Sequence, residues 1–469
     1  MTYKVSIDEG NLRDNQIIDL PASKSLSNRA LIMQALCPEP CVLTHLSDCD
    51  DTVVMQRAFQ KMQNNLVSGP VTIDIGAAGT SMRFLTAYFA SRQGAEVIMT
   101  GTERMKQRPI KILVDALRHL GAEIEYLGDE GCPPLRIHGR TLAGGPLSID
   151  GSTSSQYISA LLMVAPTLTD GLQLTLTGDV TSRPYILMTL GMMREFGVES
   201  LWEGNVISIA PQTYKAQCYE VESDWSAASY WYEILTLANE TQLKTIRLKG
   251  LHKQSLQGDS HIADYFAPLG IVTDFTDEGV VLSFDANGLQ EPDRLDWDMS
   301  EQPDLAQTVI STYTMLGVKF DICGLHTLRI KETDRITALE NELLKVGVIV
   351  TDQDNDRMLY EAKDIEGFDY DFEMTPVIKT YKDHRMAMAF APIALYLAQN
   401  TLLIDDPAVV SKSYPQYWDH LRQIGYTVEE YDIKQAMMKE RKSLEKKHWL
   451  YLGIVIVMFL ILMIFKLLS

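Results

Sequence analysis

Six stretches of the chain open with small, polar or charged residues and continue into apolar positions spaced as on a helix face. Ser, Asp and Gly are good N-caps, so each opening predicts a helix start. The spacing of about 55 to 80 residues predicts a repeat longer than a solenoid unit. The six openings are Pro21-Ala22-Ser23-Lys24, Ala77-Ala78-Gly79-Thr80, Gly151-Ser152-Thr153-Ser154-Ser155-Gln156, Ser223-Asp224-Trp225-Ser226, Gln302-Pro303-Asp304 and Lys382-Asp383-His384-Arg385.

Short runs of alternating or β-branched residues lie between these openings and predict strands, among them 71–75, 172–176 and 206–209. Amphipathic stretches at 110–120 and 336–346 predict further helices, which end at Gly121 and Gly347. Each repeat therefore consists of strands plus two helices. The pattern predicts an α/β fold with six such units.

The last apolar run has a different character. Residues 449–468 are apolar apart from Lys466 and a few neutral positions, and twenty helical residues span roughly 30 Å, a bilayer core. Basic residues precede the run and Trp449 and Tyr451 lie at its boundary, which favours a cytoplasmic body. We expect a basic linker at 433–448 and a single-pass C-terminal transmembrane helix at 449–468. A buried terminal helix is less favoured, because it would show a polar face.

Composition narrows the class of protein. A chain of 469 residues predicts two domains, and its net charge of -20 argues against a nucleic-acid binder. A local basic pocket can still bind small anions. Six cysteines form no disulfide framework, and the charged N-terminal stretch is unlike a secretory signal, so we expect a cytoplasmic body.

Cys37, Cys41, His45 and Cys49 recur every four residues, as metal ligands can. Pro38 and Pro40 prevent the regular helix that would align them, so we expect no metal site here. Helix N-termini attract anions instead, because their N–H groups are unpaired. For one opening the capping role alone is sufficient. Nearby basic residues shift the balance toward an anion site, and they are Lys24, Arg29, Arg83 and Arg385.

Nine segments follow in an order that resembles a known family. They are Ser23-Lys24-Ser25-Leu26-Ser27-Asn28-Arg29-Ala30, Ala78-Gly79-Thr80-Ser81-Met82-Arg83, Arg104-Met105-Lys106-Gln107-Arg108-Pro109-Ile110, Gly151-Ser152-Thr153-Ser154-Ser155-Gln156, Ser182-Arg183-Pro184-Tyr185, Pro303-Asp304, Arg329-Ile330-Lys331-Glu332-Thr333-Asp334-Arg335, Asp383-His384-Arg385-Met386-Ala387 and Lys412-Ser413-Tyr414-Pro415. One such segment is a weak signal, but nine in order are specific. Over roughly residues 1–432 the sequence resembles the 5-enolpyruvylshikimate-3-phosphate synthase (3-phosphoshikimate 1-carboxyvinyltransferase) family.

The resemblance implies a two-domain inverse α/β barrel of six βαβαββ repeats. The first three-repeat domain would span 21–223, and the second would combine 1–20 with 224–432. The implied reaction transfers the enolpyruvyl group of phosphoenolpyruvate to the 5-hydroxyl of 3-phosphoshikimate and releases phosphate, in the pathway to chorismate and aromatic amino acids. We expect a monomeric catalytic part that needs no metal or organic cofactor, because its cations come from the protein.

Both substrates carry a phosphate and a carboxylate, which arginine binds through its planar fork. By resemblance, the phosphoenolpyruvate ligands are Lys24, Gly79, Arg108, Gln156, Arg335, Arg385 and Lys412. By the same resemblance, the 3-phosphoshikimate ligands are Lys24, Ser25, Arg29, Ser154, Ser155, Gln156, Ser182, Asp304 and Lys331, with Tyr185 packing nearby.

The resemblance also implies catalytic roles. Asp304 is the expected base for the 5-hydroxyl, and Glu332 is the expected proton donor to the methylene carbon. Lys24 would assist the leaving phosphate and His384 would relay protons. Carboxylates that work near neutral pH need a pKa tuned by their neighbours, and the sequence does not specify how.

This chain departs from the family pattern in three places. Ala77 and Thr327 each stand where family members commonly carry Asn, and Thr327 is therefore left out of the expected ligands. The first repeat is shorter than the others. The tail after Ile433 has no counterpart in the family pattern, so the anchor is predicted from hydrophobicity alone.

Two alternatives remain open. A related enolpyruvyl transferase acts on UDP-N-acetylglucosamine, but Cys132 in Gly131-Cys132-Pro133-Pro134 lacks the basic surroundings that would activate a thiol. The other alternative is a membrane-tethered interaction protein without catalysis. The presence of all four expected catalytic residues argues against it.

Overall fold

The computed structural model describes residues 1–63, 69–290, 292–363 and 375–432. Twelve α-helices lie in this part of the chain: α1 (Lys24–Leu36), α2 (Asp50–Gln63), α3 (Gly79–Ala90), α4 (Lys111–His119), α5 (Ser155–Val164), α6 (Arg183–Glu195), α7 (Trp225–Leu237), α8 (Ile262–Phe266), α9 (Ala306–Met315), α10 (Arg335–Leu344), α11 (His384–Phe390) and α12 (Tyr417–Gln423). The six predicted helix starts are confirmed, as odd-numbered helices from α1 to α11.

The strands of the same residues are short. They are β1 (Thr2–Ser6), β2 (Gln16–Ile18), β3 (Val42–Thr44), β4 (Val71–Asp74), β5 (Glu96–Thr100), β6 (Glu123–Tyr126), β7 (Leu135–His138), β8 (Gly145–Asp150), β9 (Leu172–Thr177), β10 (Leu201–Glu203), β11 (Val206–Ile209), β12 (Cys218–Glu220), β13 (Thr245–Lys249), β14 (Leu269–Thr276), β15 (Gly279–Leu289), β16 (Arg294–Asp298), β17 (Lys319–Cys323), β18 (Thr351–Gln353), β19 (Arg357–Tyr360), β20 (Val377–Ile378), β21 (Thr401–Asp405) and β22 (Thr427–Glu430).

Mixed sheets repeat one topology through the described chain. The orders β4-β5-β7-β6, β8-β9-β11-β10 and β16-β17-β19-β18 each join a parallel pair to an antiparallel hairpin. Each of these units has a helix after its first strand and another after its second. This is the strand–helix–strand–helix–strand–strand unit that the hydrophobic pattern predicts.

In three units, the sheet contains strands that are distant from one another in the chain. β2 takes the first place in the sheet β2-β13-β15-β14, and β1 lies between β21 and β22 in the sheet β20-β21-β1-β22. The first unit contains only the parallel pair β3 and β12, without a hairpin, which agrees with its short sequence.

Two hydrophobic cores result from this arrangement. One is formed by residues of 22–221, and the other by residues of 5–20 together with 225–428. The chain passes between them twice, and the two passages lie side by side: the N–H of Ser23 donates to the carbonyl of Glu222 at 2.8 Å, and the N–H of Asp224 donates to that of Pro21 at 2.9 Å. The helix starts α1 and α7 follow directly from this junction.

No helix within the described ranges is long and apolar enough to cross a membrane. The linker expected at 433–448 and the transmembrane helix expected at 449–468 lie outside the described residues.

Candidate active site

The starts of six helices meet in three pairs, one of which joins the two hydrophobic cores. The N–H of Lys24 in α1 donates to Asp224, the N-cap of α7, at 3.1 Å. Gln156 of α5 donates from its amide to the hydroxyl of Thr80 in α3 at 3.3 Å. Just before α9, Asp304 pairs with Arg385 of α11 at 3.0 Å. The structure therefore brings together starts that lie up to two hundred residues apart in the chain.

Arg335 is the centre of an ion-pair network and is only 1% exposed. Its Nη1 lies 3.0 Å from Oδ1 of Asp304, its Nη2 lies 3.0 Å from Oε2 of Glu332, and its Nε lies 2.7 Å from Oδ2 of Asp383. Asp383 also caps α11 by accepting from the N–H of Arg385. These contacts fix the three carboxylates relative to one another, because one rigid guanidinium plane binds all of them.

The pKa of both proposed catalytic carboxylates is depressed. Burial alone raises the pKa of Asp304, but cations outweigh it and hold this pKa well below its usual range: Arg385, Lys331, Arg335 and Lys24. Burial likewise raises the pKa of Glu332, and the attraction of Arg335 and Arg108 more than reverses it. In the ligand-free site, both groups are therefore ionised near neutral pH.

Lys24 remains a cation in spite of its surroundings. Burial lowers its pKa, but acidic neighbours, Asp51 and Glu332 among them, outweigh burial and leave the pKa raised. Asp51 shows the reverse balance, because burial raises its pKa more than nearby cations lower it. Sequence reasoning missed Asp51. Its position in Asp48-Cys49-Asp50-Asp51 does not indicate that folding brings it close enough to Lys24, Arg108 and Lys412 for their charges to lower its pKa.

His384 is buried and neutral. Its ring is 2% exposed, and burial together with the positive charges of Lys24 and Arg385 lowers its pKa well below the usual value. Neither ring nitrogen has a hydrogen-bond partner within the described part of the chain, and Nδ1 lies 3.7 Å from Asp383. A neutral imidazole with free nitrogens can both accept and donate a proton.

Arg108 brings the two halves together across the cleft. Its Nη1 lies 3.9 Å from Glu332 on the opposite side, and its side chain passes directly over Gly79. A Cβ added at Gly79 would lie 2.4 Å from Arg108 Nη1, so any larger residue would displace the guanidinium. Its Nε has no hydrogen-bond partner in the ranges that the structure describes, which leaves a donor for an anion.

A cavity of about 190 Å³ lies beside Arg108. Five expected ligands line it with Arg108, from both halves of the protein: Ser154, Ser155, Gln156, Ser182 and Lys331. Thr327 lines the same cavity, and its buried hydroxyl has no partner among the described residues. Its omission from the expected ligands rested on a comparison of residue types, which does not show where the hydroxyl lies.

Ser25 and Arg29 lie at the rear of the first half. The guanidinium of Arg29 donates to the hydroxyls of Thr189 and Ser159 and to the carbonyls of Ser25 and Tyr185. Burial lowers the pKa of Arg29 to about 10. Arg29 is thus held mainly by neutral protein acceptors, and its positive charge has no carboxylate partner within 4.0 Å in the described residues.

Asp259 joins the two halves beside Asp304, and sequence reasoning missed it. The hydroxyl of Tyr185 donates to its Oδ1 at 2.8 Å, and Ser226 donates to its Oδ2. Arg385 in turn donates to the hydroxyl of Ser226 at 3.3 Å. Burial and the charge of Asp304 raise the pKa of Asp259 to about 6.

The structure also shows the surroundings of Lys412, an expected ligand, and of Cys132, the cysteine considered for the alternative enzyme. The ammonium of Lys412 donates to the carbonyl of Lys382 at 2.6 Å, next to Asp383. For Cys132, burial and the charge of Asp129 raise the pKa, so this thiol is not activated as a nucleophile.

The site as a whole presents basic groups around two ionised carboxylates and a neutral imidazole. That set can bind anions of two ligands and move protons between them.

Comparisons with known proteins agree with this geometry. The family model described as EPSP synthase (3-phosphoshikimate 1-carboxyvinyltransferase) matches residues 10–421. A 3-phosphoshikimate 1-carboxyvinyltransferase of Bacteroides fragilis is 51% identical over 412 residues, covering 88% of this chain and 95% of the relative. One from Mannheimia haemolytica is 37% identical over 443 residues, covering 87% and 96%.

Solved structures share the fold. An EPSP synthase from Acinetobacter baumannii matches with a TM-score of 0.67 at 19% identity, covering 92% of this chain and 100% of that chain. The match of the family model over most of the chain supports the same assignment. The chain belongs to the EPSP synthase (3-phosphoshikimate 1-carboxyvinyltransferase) family, which confirms the enzyme that its motifs predict.

Proposed function

We propose that this chain catalyses the reaction of its family with the residues described above. The enolpyruvyl group of phosphoenolpyruvate is transferred to the 5-hydroxyl of 3-phosphoshikimate, and phosphate is released. The observation that carries the assignment of roles is the ion-pair network in which Arg335 holds Asp304, Glu332 and Asp383 at 2.7 to 3.0 Å. This network supports the assignment, because one guanidinium contacts both the candidate base Asp304 and the candidate acid Glu332.

The two substrates occupy neighbouring sets of cations. Phosphoenolpyruvate is bound by Lys24, Gly79, Arg108, Gln156, Arg335, Arg385 and Lys412. The 3-phosphoshikimate is bound by Lys24, Ser25, Arg29, Ser154, Ser155, Gln156, Ser182, Asp304 and Lys331. The cavity beside Arg108 supports this division, because it is lined by serines of the second set.

The reaction proceeds by addition and then elimination. Asp304 accepts the proton of the 5-hydroxyl as its oxygen bonds to carbon 2 of phosphoenolpyruvate, while Glu332 donates a proton to the methylene carbon. The resulting tetrahedral intermediate then loses a proton from the new methyl group to the Glu332 carboxylate and expels phosphate. The C–O bond to the phosphate breaks, the enol double bond re-forms, and the proton held by Asp304 passes to the departing phosphate, so atoms and charges balance.

Substrate charge prepares the two carboxylates for these roles. In the ligand-free site, the cations that lower the pKa of Asp304 and Glu332 are the same ones assigned to the substrates. Substrate phosphates and carboxylates compete for those cations when they bind. The pKa of both carboxylates then rises, so Glu332 can hold the proton it must donate and Asp304 becomes a stronger base.

Lys24 and His384 support the elimination. The Lys24 ammonium neutralises charge on the departing phosphate, and its raised pKa keeps it protonated for this task. His384 relays protons near Glu332, since its buried ring is neutral and its nitrogens have no partners in the described residues. These roles need no metal or organic cofactor.

The broader organisation is part of the proposal. The division into one domain of 21–223 and another of 1–20 with 224–432 is supported by the two hydrophobic cores and by the paired passages at Pro21 and Asp224. The linker at 433–448 and the anchor at 449–468 would attach this body to a membrane, and that part of the proposal depends on hydropathy alone.

A turnover assay with purified protein tests the function. Phosphate release is measured with phosphoenolpyruvate and either 3-phosphoshikimate or UDP-N-acetylglucosamine. We expect release only with 3-phosphoshikimate. Release only with the nucleotide sugar would support the rival enzyme, and release with neither would support the interaction protein.

A further inference from the structure

A tight turn with unfavourable backbone angles lies directly before the catalytic segment at Asp383. The N–H of Asp383 donates to the carbonyl of Thr380 at 2.8 Å, and the two residues between them have positive φ: 53° at Tyr381 and 60° at Lys382. Positive φ at both central positions is the pattern of a type I′ turn, which Gly, Asn and Asp normally occupy. Larger residues are strained in this conformation, so surrounding contacts must hold the turn.

Those contacts come from Glu342, which is buried in α10 with no exposed surface. Its Oε1 accepts from the hydroxyl of Tyr381 at 2.6 Å, and its Oε2 accepts from the N–H of Lys379 at 2.9 Å. Lys345 provides a positive charge to the same carboxylate. Glu342 therefore binds the turn through the hydroxyl of Tyr381, and it binds the residue before the turn through the backbone N–H of Lys379.

The same helix also binds the other side of the turn. Arg335, seven residues before Glu342 and on the same face of α10, pairs with Asp383 at 2.7 Å. Between these two attachments, the carbonyl of Lys382 accepts from the ammonium of Lys412 at 2.6 Å. The conformation of the turn thus sets the position of the carbonyl that Lys412 binds, whereas Asp383 is also held by Arg335 and by its contact with the start of α11.

We propose that Glu342 is a positioning residue for the anion site, which holds the turn 380–383 so that Lys412 keeps its place. The proposal depends on the proposed function, in which Lys412 and Arg335 bind phosphoenolpyruvate. Glu342 itself contacts neither substrate. Its loss should weaken binding of phosphoenolpyruvate and leave 3-phosphoshikimate binding and the chemical step nearly unchanged.

Tyr381→Phe removes one hydroxyl and is the first test. We expect the KM for phosphoenolpyruvate to rise about fivefold, as the loss of one hydrogen bond implies. The KM for 3-phosphoshikimate and kcat should change less than twofold.

Glu342→Gln should act in the same direction with a larger effect, because it also weakens the contact to Lys379. Tyr232→Phe is the matched control, since its hydroxyl contacts Thr273 at 2.9 Å elsewhere in the same core, and it should leave both KM values unchanged.

A rescue experiment tests the turn itself. Glycine adopts positive φ readily, so adding Lys382→Gly to Tyr381→Phe should return the KM for phosphoenolpyruvate toward the wild-type value. The Lys382 carbonyl is retained in this variant.

The outcomes separate the two proposals. If the wild-type protein shows no turnover with 3-phosphoshikimate, both the proposed function and this inference fail. If the wild-type protein is active, an unchanged KM for phosphoenolpyruvate in Tyr381→Phe overturns the inference alone. Equal rises in both KM values, or no recovery with Lys382→Gly, would show a general structural effect and also overturn it.

Discussion

Asp304→Asn tests the proposed base at the scale of one residue. Asn keeps the shape of the side chain and an oxygen that can accept from Arg335, but it cannot take a proton at neutral pH. We expect kcat to fall by about 10²- to 10⁴-fold, the usual contribution of a general base. Each KM should change far less, and steady-state phosphate release measures both quantities.

The control for this variant is Asp321→Asn. Asp321 also pairs with two arginines, Arg357 at 3.0 Å and Arg294 at 3.6 Å, but it lies in β17 away from the cleft. This control should keep full activity. A turnover for Asp304→Asn that matches the control would exclude Asp304 as the base.

Asp259 gives a prediction on pH and stability. Its pKa in the folded protein is about 6, above the ordinary Asp value, so between these values the folded state holds a proton that the unfolded state has lost. This group therefore stabilises the fold below about pH 4, and its contribution is lost as pH rises through 6. The expected loss is about 2 kcal/mol between pH 4 and pH 7.

Urea unfolding at several pH values measures this effect. As pH rises from 4 to 7, the unfolding free energy of the wild type should fall relative to that of Asp259→Asn by the loss given above. Asn does not titrate, so the variant lacks this contribution. A difference for Asp259→Asn that is constant with pH would contradict the assigned proton.

At the scale of elements, Asp224 caps two helices that belong to different cores. Its Oδ1 accepts from the N–H of Ala227 in α7 at 2.9 Å, and its Oδ2 accepts from the N–H of Lys24 in α1 at 3.1 Å. A lost cap costs about 0.5–2 kcal/mol, so Asp224→Ala should lower the unfolding free energy by about 2 kcal/mol or more. Chemical denaturation followed by circular dichroism measures this.

Asp224→Asn separates the two caps. Its amide keeps one acceptor oxygen and so should retain about half of the stability lost in Asp224→Ala. Since the second cap orients Lys24, both variants should also lower kcat for phosphate release. A normal kcat in a destabilised Asp224→Ala protein would show that the cap on α1 does not position Lys24.

The helix starts were predictable from sequence because their signals are local. Ser23, Asp224 and Asp383 are good caps followed by apolar residues, and each caps its helix in the structure. The places of β1 and β2 could be expected only through the family resemblance, since their partners lie hundreds of residues away.

The site residues also divide into those that a local sequence motif predicts and those that only the folded structure reveals. The nine motifs gave every charged group in the Arg335 network, because those groups lie in recognisable segments. Asp51, Asp259 and Glu342 were missed, because each matters through a partner that only folding brings close. The depressed pKa of Asp304 was equally hidden, since it depends on charges from several separate elements.

For the whole molecule, contacts across the cleft extend beyond the reacting groups. Arg108 approaches Glu332 to 3.9 Å, Ser411 donates to Asp50 at 2.8 Å, and Gln416 donates to Asp48. The last two contacts flank Lys412. These contacts hold this lysine near Asp51, whose pKa its charge lowers. In the proposed function, substrate anions bind cations of both halves, so we expect their binding energy to favour a closed cleft.

The boundary of the catalytic body can be tested by two truncations. β22 forms an edge of the sheet with β1, Val428 is buried in it, and the N–H of Tyr431 donates to the carbonyl of Thr2 at 2.8 Å. A chain ending after Asp432 keeps all of these contacts, so it should fold and keep the kcat of the full chain.

A chain ending after Tyr426 removes β22 and leaves one side of β1 unpaired. Its unfolding free energy should fall by several kcal/mol, because at least one buried apolar side chain and a ladder of backbone hydrogen bonds are lost. Thermal unfolding and phosphate release, measured on both truncated proteins and on the full chain in detergent, decide the boundary. If the chain ending after Asp432 unfolds like the shorter one, the segment beyond Asp432 is part of the folded body, and the proposed separation of linker and anchor from that body is wrong.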